Sequence, residues 1–252
     1  MLGIVIALLL CGSLASATET LASAFAVPPG AVRATAEAWG ESLRSLPLYP
    51  VDREVMSYRG DALAMPAARV VELPLVAGDL QQCADSILRL RAEWERKQGR
   101  EPAYHYTSGY LSRWSDWKAG KRPVVSGSKV SLGGSGTAGD TESNWTGWLT
   151  NLFMYAGTRS LGRDTVAPPG APVAGAQVGD LLVTPGSPGH AVLIVDVARG
   201  EGHTWVLVGQ GFMPAQDFHV VRGPASGWFE VAGDTLPTAP IAMEWAGWRR
   251  FP

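Results

Sequence analysis

Hydrophobic positions along the chain change their period. Val32, Ala36, Trp39, Leu43 and Leu46 recur every three or four residues, which predicts a helix over residues 32–46 that Pro47 stops. Gly78 and Asp79 open a stronger helical pattern through Leu80, Cys83, Ala84, Ile87, Leu88, Arg91 and Trp94, with Asp79 as the expected N-cap. A third helix is predicted over residues 145–161, with Trp148, Leu152 and Tyr155 on one stripe. From Gly179 onward the pattern is that of strands, at residues 181–184, 190–197, 204–209 and 218–222, separated by Gly, Pro and charged turns. Residues 55–58 and 68–76 read as short strands, and Pro74 places the second at a sheet edge. Helices before a run of strands predict an α+β fold. The Gly/Ser-rich run within residues 121–140 reads as a mobile loop, and it lacks the Gly-Lys-Ser or Gly-Lys-Thr ending of a phosphate-binding loop.

The chain has 252 residues, 46% hydrophobic and 17% charged, enough for one substantial core, so a single domain is expected over residues 18–252. Its net charge of -2, with no run of five like charges, gives no footprint for nucleic acid. Residues 1–10 are almost wholly apolar and are followed by Ala15-Ser16-Ala17, which predicts a signal peptide over residues 1–17 and export to the periplasm or cell envelope. The leader has no Lys or Arg before its apolar run, and that run is too short for a permanent membrane helix. Leu10 before Cys11 is bulkier than the residue a lipoprotein cleavage box favours, so lipid anchoring at Cys11 is the minor alternative. Cleavage after Ala17 would leave Cys83 as a lone exported thiol.

That thiol has candidate partners. Pro188-Gly189 delivers His190 onto the first residue of an apolar strand, and Gln210 ends the next strand. A hairpin turn through residues 199–202 sets Ala198 opposite His203, and by the same count His190 opposite Gly211, within one residue of Gln210. Asp196 is the more usual type of partner, but it stands six residues along the same strand, roughly 20 Å away at ~3.3 Å per residue. The expected catalytic residues are therefore Cys83 as nucleophile, activated at a helix N-terminus, His190 as base and Gln210 as its orienting group. The backbone N–H of Cys83 and the side chain of Gln82 or Gln81 are candidate oxyanion donors, and Gln216 with His219 is expected to line a substrate groove. No compact metal-ligand spacing occurs among the histidines and Cys83, so no metal or other cofactor is expected. The acids Asp79, Asp85, Asp140, Glu142 and Asp196 show no spacing that selects a glycosidase pair, and the many tryptophans are a weak signal for sugar stacking.

Leu80 to Glu93, Asn151 to Leu161, Gly179 to Ala198 and Gly209 to Val220 together resemble the bacterial domain of unknown function 4846 family, whose members are exported proteins or lipoproteins. That resemblance implies no reaction. More loosely, Gly179-Asp180-Leu181 with Gly189-His190-Ala191-Val192 is similar to the histidine strand of NlpC-type papain-like peptidases and amidases. This second resemblance implies a papain-like core and a peptide or peptidoglycan-like substrate, with Cys83, His190 and Gln210 in the order of the family's catalytic residues. Cys83 departs from it by lying in Gln-Gln-Cys-Ala-Asp instead of Asp-Cys-Ser-Gly. The expected function is that of an exported thiol hydrolase; the alternative is a noncatalytic envelope protein that binds glycan or peptide.

Overall fold

The computed structural model describes residues 18–252; the expected leader and Cys11 lie outside the described residues. Helices and an antiparallel sheet combine in an α+β arrangement. The main sheet contains β1 (Val32–Arg33), β2 (Ala67–Val70), β3 (Leu181–Thr184), β4 (His190–Gly200), β5 (His203–Gln210), β6 (His219–Val221), β7 (Phe229–Glu230) and β8 (Trp248–Arg249). Their order is β8-β3-β4-β5-β6-β2, with β1 beside the far half of β4 and β7 beside β5. The four strands expected between residues 181 and 222 thus form the centre of the sheet. Residues 67–70 take an edge, and Pro74 lies beyond the strand.

Strand β4 is buried from His190 to Ala198, as its unbroken apolar run requires of a strand covered on both faces. Helices α1 (Ala38–Arg44) and α2 (Cys83–Lys97) lie against it. Ile87 and Leu88 of α2 enter one apolar cluster with Val192, Leu193 and Leu207. The helical pattern beginning at Val32 divides, because Val32 and Arg33 pair with Arg199 and Ala198 and only residues 38–44 become helical. The helix expected over residues 145–161 also divides, into α3 (Glu142–Tyr155) and α4 (Thr158–Asp164). The Thr141 side chain caps α3 by accepting from the Asn144 N–H, and Gly157 caps α4.

The Gly/Ser-rich run is not an irregular loop. It supplies a hairpin, Lys121–Ser126 with Lys129–Ser135, in which Val125 stands opposite Val130 and Gly127 takes the positive φ of the turn. Of the four tryptophans considered as sugar platforms, Trp117 is half-buried beneath the Arg122 guanidinium, whereas Trp114, Trp145 and Trp148 are buried against one another, with Trp114 and Trp145 edge to face at 5.0 Å. Those three are core packing.

Buried Asp196 ties the N-terminal segment to β4. Its carboxylate accepts from Arg33 Nε at 2.5 Å and from Arg44 Nε at 2.7 Å, while the same guanidinium groups donate to the Ala22, Phe25 and Ala34 carbonyls. Removing one member of a buried ion pair leaves the others desolvated and unpaired. Asp196→Ala is therefore expected to destabilise the protein by about 3–5 kcal/mol, measured by urea denaturation at neutral pH.

Candidate active site

The β4–β5 hairpin fixes the spacing of the candidate residues. Its turn is Glu201-Gly202, both at positive φ, as a two-residue hairpin turn of the favoured hand requires. Gly200 pairs with His203, not with a longer loop between them, and Ala198 with Trp205. A register shift between Ile194 and Asp196 then inserts Val195 as an extra residue, after which Leu193 faces Gly209. Continuing from that pair, Gln210 comes level with Val192, two residues from His190 and on the same face. The uninterrupted register would put Gln210 level with Leu193, on the opposite face, because side chains alternate along a strand. The bulge therefore creates the His190–Gln210 contact that symmetric counting about the turn only approximated.

His190 Nε2 donates to Gln210 Oε1 at 2.8 Å. Gln210 Nε2 donates to the Ala239 carbonyl at 2.9 Å and lies 3.3 Å from His219 Nε2, while His219 Nδ1 donates to the Asp217 carbonyl at 3.1 Å. His190 is 2% exposed, and Gln210 and His219 are fully buried. The Phe212 ring stands edge-on to His190 at 5.1 Å. Burial lowers the pKa of His190, which the Gln210 hydrogen bond partly opposes. Burial also lowers that of His219, to about 4, with the nearby His190 charge acting in the same direction and the Asp217 carbonyl opposing.

Cys83 is the first residue of α2, with Gln82 rather than Asp79 as N-cap. The backbone amides of Ala191, the residue after His190, and of Ala84 and Cys83 act to lower the pKa of its thiol, and α2 packs against β4. The helix N-terminus and the histidine strand thus converge. The thiol is nevertheless 8% exposed, and burial pushes its pKa up despite the three amides, with the Asp85 charge adding to the rise. The thiol activation expected at a helix N-terminus is outweighed by desolvation in this closed state. Both the thiol and the imidazole rest neutral.

The other candidates surround this group in different ways. The Gln82 amide nitrogen is directed to Asp79 Oδ1, and the same carboxylate oxygen accepts from the Ala215 N–H, tying the loop after β5 to the start of α2. Gln81 keeps a buried amide nitrogen with no partner among the described residues, its oxygen accepting from Arg89 and the Val76 N–H. Gln216 is buried with neither amide atom paired among the described residues, and His219 lies behind Gln210 instead of on an open groove. Asp85, buried with Oδ2 accepting from the Gln82 N–H, has its pKa raised by burial to about 8. Of the acids considered for glycan cleavage, Asp140 and Glu142 both pair with Arg96 at the surface, Asp196 is held by Arg33 and Arg44, and Asp79 and Asp85 both bond to Gln82. His105, which had no evident context in sequence, is bonded through Nδ1 to Asp164 at 2.5 Å. A partner so distant along the chain gives no local signal. Among the described residues, no group of three metal-ligating side chains is found. A cleft of about 1310 Å³ lies at the far end of β4, lined by Arg33, Trp39, Trp94, Arg199 and Arg250, away from Cys83 and His190.

The model of the family described as domain of unknown function (4846) matches residues 21–247, and the chain belongs to that family. No curated protein and no solved structure matches the chain.

The neutral His219 makes stability depend on pH. The folded state resists its protonation down to about 4, whereas an unfolded histidine takes a proton near 6.5. Its contribution is fully present above about pH 6.5 and is lost as pH falls towards 4, a difference of about 3 kcal/mol. Asp85 acts in the opposite sense, because its folded pKa lies above the unfolded one and its contribution is lost as pH rises towards 8. Comparing wild type with His219→Gln cancels the Asp85 effect. The wild type should lose about 3 kcal/mol more than the variant between pH 7 and pH 4 in urea denaturation.

Proposed function

We propose that the protein is an exported papain-like thiol hydrolase of the periplasm or cell envelope, cleaving an amide bond in a peptide of cell-wall type. The observation that carries the reading is the His190–Gln210 hydrogen bond on a strand that packs against the helix whose first residue is Cys83. Cys83, His190 and Gln210 would supply a nucleophile, a base and an orienting group from three elements. With Nε2 donating to Gln210, Nδ1 is the nitrogen that carries the lone pair.

Attack begins from the neutral pair. The Cys83 sulfur bonds to the substrate carbonyl carbon as its proton passes to His190 Nδ1, and the Cys83 N–H donates to the developing oxyanion. The imidazolium returns that proton to the leaving nitrogen as the C–N bond breaks, which leaves a thioester. Water, losing a proton to His190, attacks the thioester carbonyl; collapse expels the sulfur, which regains its proton as the acid product leaves. Coupling proton transfer to attack follows from the opposed pKa shifts, since a thiol raised and an imidazole lowered by burial do not form a standing ion pair.

A second reading, a noncatalytic envelope protein that binds glycan or peptide, draws on the aromatic and arginine lining of the large cleft and on the closure around Cys83. The two readings separate in one experiment. Purified protein is incubated with defined peptidoglycan fragments, and new amino termini and retained ligand are both measured. The hydrolase reading expects turnover that Cys83→Ala and His190→Ala each lower by at least about 10²-fold, with a normal solvent isotope effect on acylation. Binding without turnover, with equal affinity in Cys83→Ser, would sink it and leave the binding reading.

Alkylation by iodoacetamide checks the charge state of the resting site. Native Cys83 should react more slowly than an ordinary thiol at pH 7 and gain reactivity only above the usual thiol pKa of about 8.5. Rapid labelling at pH 6 would instead indicate a preformed thiolate.

A further inference from the structure

We propose that His219 is a positioning residue that, with the Ala239 carbonyl, locks the Gln210 amide in one orientation and thereby sets which nitrogen of His190 is free to act as base. The kinetic consequence rests on the hydrolase reading, but the lock itself does not.

The argument follows donors and acceptors inward from two backbone carbonyls, which can only accept. The Ala239 carbonyl lies 2.9 Å from one end of the Gln210 side chain, so that end is the amide NH2. The other end is then oxygen, and His190 Nε2, 2.8 Å away, must carry a hydrogen. The Asp217 carbonyl lies 3.1 Å from His219 Nδ1, so that nitrogen carries the hydrogen of a neutral His219. His219 Nε2 is then a lone pair, placed 3.3 Å from the Gln210 amide nitrogen, whose second hydrogen it can accept. Every donor in the chain meets an acceptor, and reversing the amide would spoil three contacts together. Its oxygen would face the Ala239 oxygen and the His219 lone pair, while its NH2 would face the His190 N–H.

In water an imidazole exchanges between its two neutral forms. Behind β5 that freedom is absent, because Gln210 and His219 are fully buried and no solvent can replace a lost partner. His190 is held with hydrogen on Nε2 and lone pair on Nδ1. His219 is held in the opposite form, with hydrogen on Nδ1. Gln210 alone, without a fixed environment, could present either end to His190, so a neutral third residue needs such a lock where a carboxylate would not. The His190 ring bears on the charge of His219, Cys83 heads the helix packed on the His190 strand, and the Asp217 carboxylate is turned to Arg53 and the Met56 N–H.

The test is long-range proton–nitrogen NMR on the full chain labelled with 15N-histidine at pH 7, with His190→Gln and His219→Gln assigning the signals. The expected result is two opposite neutral forms: His190 with hydrogen on Nε2 and His219 with hydrogen on Nδ1. A His190 signal with hydrogen on Nδ1, or averaged between the two forms, overturns the proposal. His219→Phe removes both the acceptor and the donor, and should move His190 towards a mixture and slow turnover of a peptidoglycan-fragment peptide by about tenfold or more. His219→Gln, which can accept from Gln210 and donate to the Asp217 carbonyl, should keep His190 in its wild-type form and that turnover within about twofold. An unchanged His190 signal in a folded His219→Phe overturns the role given to His219. Should that variant not fold, the wild-type spectrum and His219→Gln still decide. Absence of peptide cleavage with the expected two forms removes the hydrolase reading and leaves the lock standing; cleavage with an averaged His190 removes the lock alone.

Discussion

The one-residue offset that Val195 introduces into the central hairpin governs where the His190–Gln210 pair lies. Side chains on a strand alternate between faces, so a single inserted residue exchanges the faces beyond it. Here the exchange brings Gln210 onto the face of His190. The same region leaves no room for variation, since a Cβ on Gly209 would meet the Phe218 ring at 2.5 Å and Val195 at 3.1 Å. The contact of His190 with Gln210 is thus a consequence of backbone register, secured by packing a few residues away, and the two side chains need only extend towards each other.

Strand β4 carries a polar network near each end, and the two are solved differently. At Asp196 the buried group is an anion, so two guanidinium groups and a backbone amide converge on it. At His190 the network is uncharged from the Asp217 carbonyl to the imidazole, and its bonds run between neutral groups. A buried charge needs a countercharge to offset its desolvation, whereas a neutral network needs only complete pairing of donors with acceptors. The charged end joins the N-terminal segment to the sheet. The neutral end can be perturbed by a single proton, which the charged end resists.

The central strands and the helix bearing Cys83 were legible in the sequence because their hydrophobic periods are long and end in clear turn residues. The pairing of His190 with Gln210 followed approximately from the hairpin, but the bulge that puts the two on one face left no mark in an unbroken apolar run. Residues 32–33 read as helix because Val32 continues the spacing of Ala36 and Trp39, while their true fate depends on Arg199 and Asp196, far along the chain. The hairpin at residues 121–135 was hidden by its glycines, whose loop signal outweighed the pairing of Val125 with Val130. His219 was recognisable as a polar residue near the sheet, but its place behind Gln210 depends on pairing between β5 and β6 and on a carbonyl at residue 239. The raised thiol pKa was not legible, since a helix N-terminus can be inferred from spacing and the burial that overrides it cannot.

A neutral third residue also bears on how the site would work. A carboxylate beside His190 would favour the imidazolium and draw the thiol proton across in the resting state. Gln210 fixes the ring without that bias, and burial on all sides acts against both charged partners. Charge separation would then have to be supported by something present only during reaction, and the oxyanion forming beside the α2 N-terminus is the place where the site's backbone dipoles can act. Binding of a carbonyl group, and not the free enzyme, would make Cys83 reactive. The burial that disfavours the thiolate also keeps Cys83 in the form less open to oxidation.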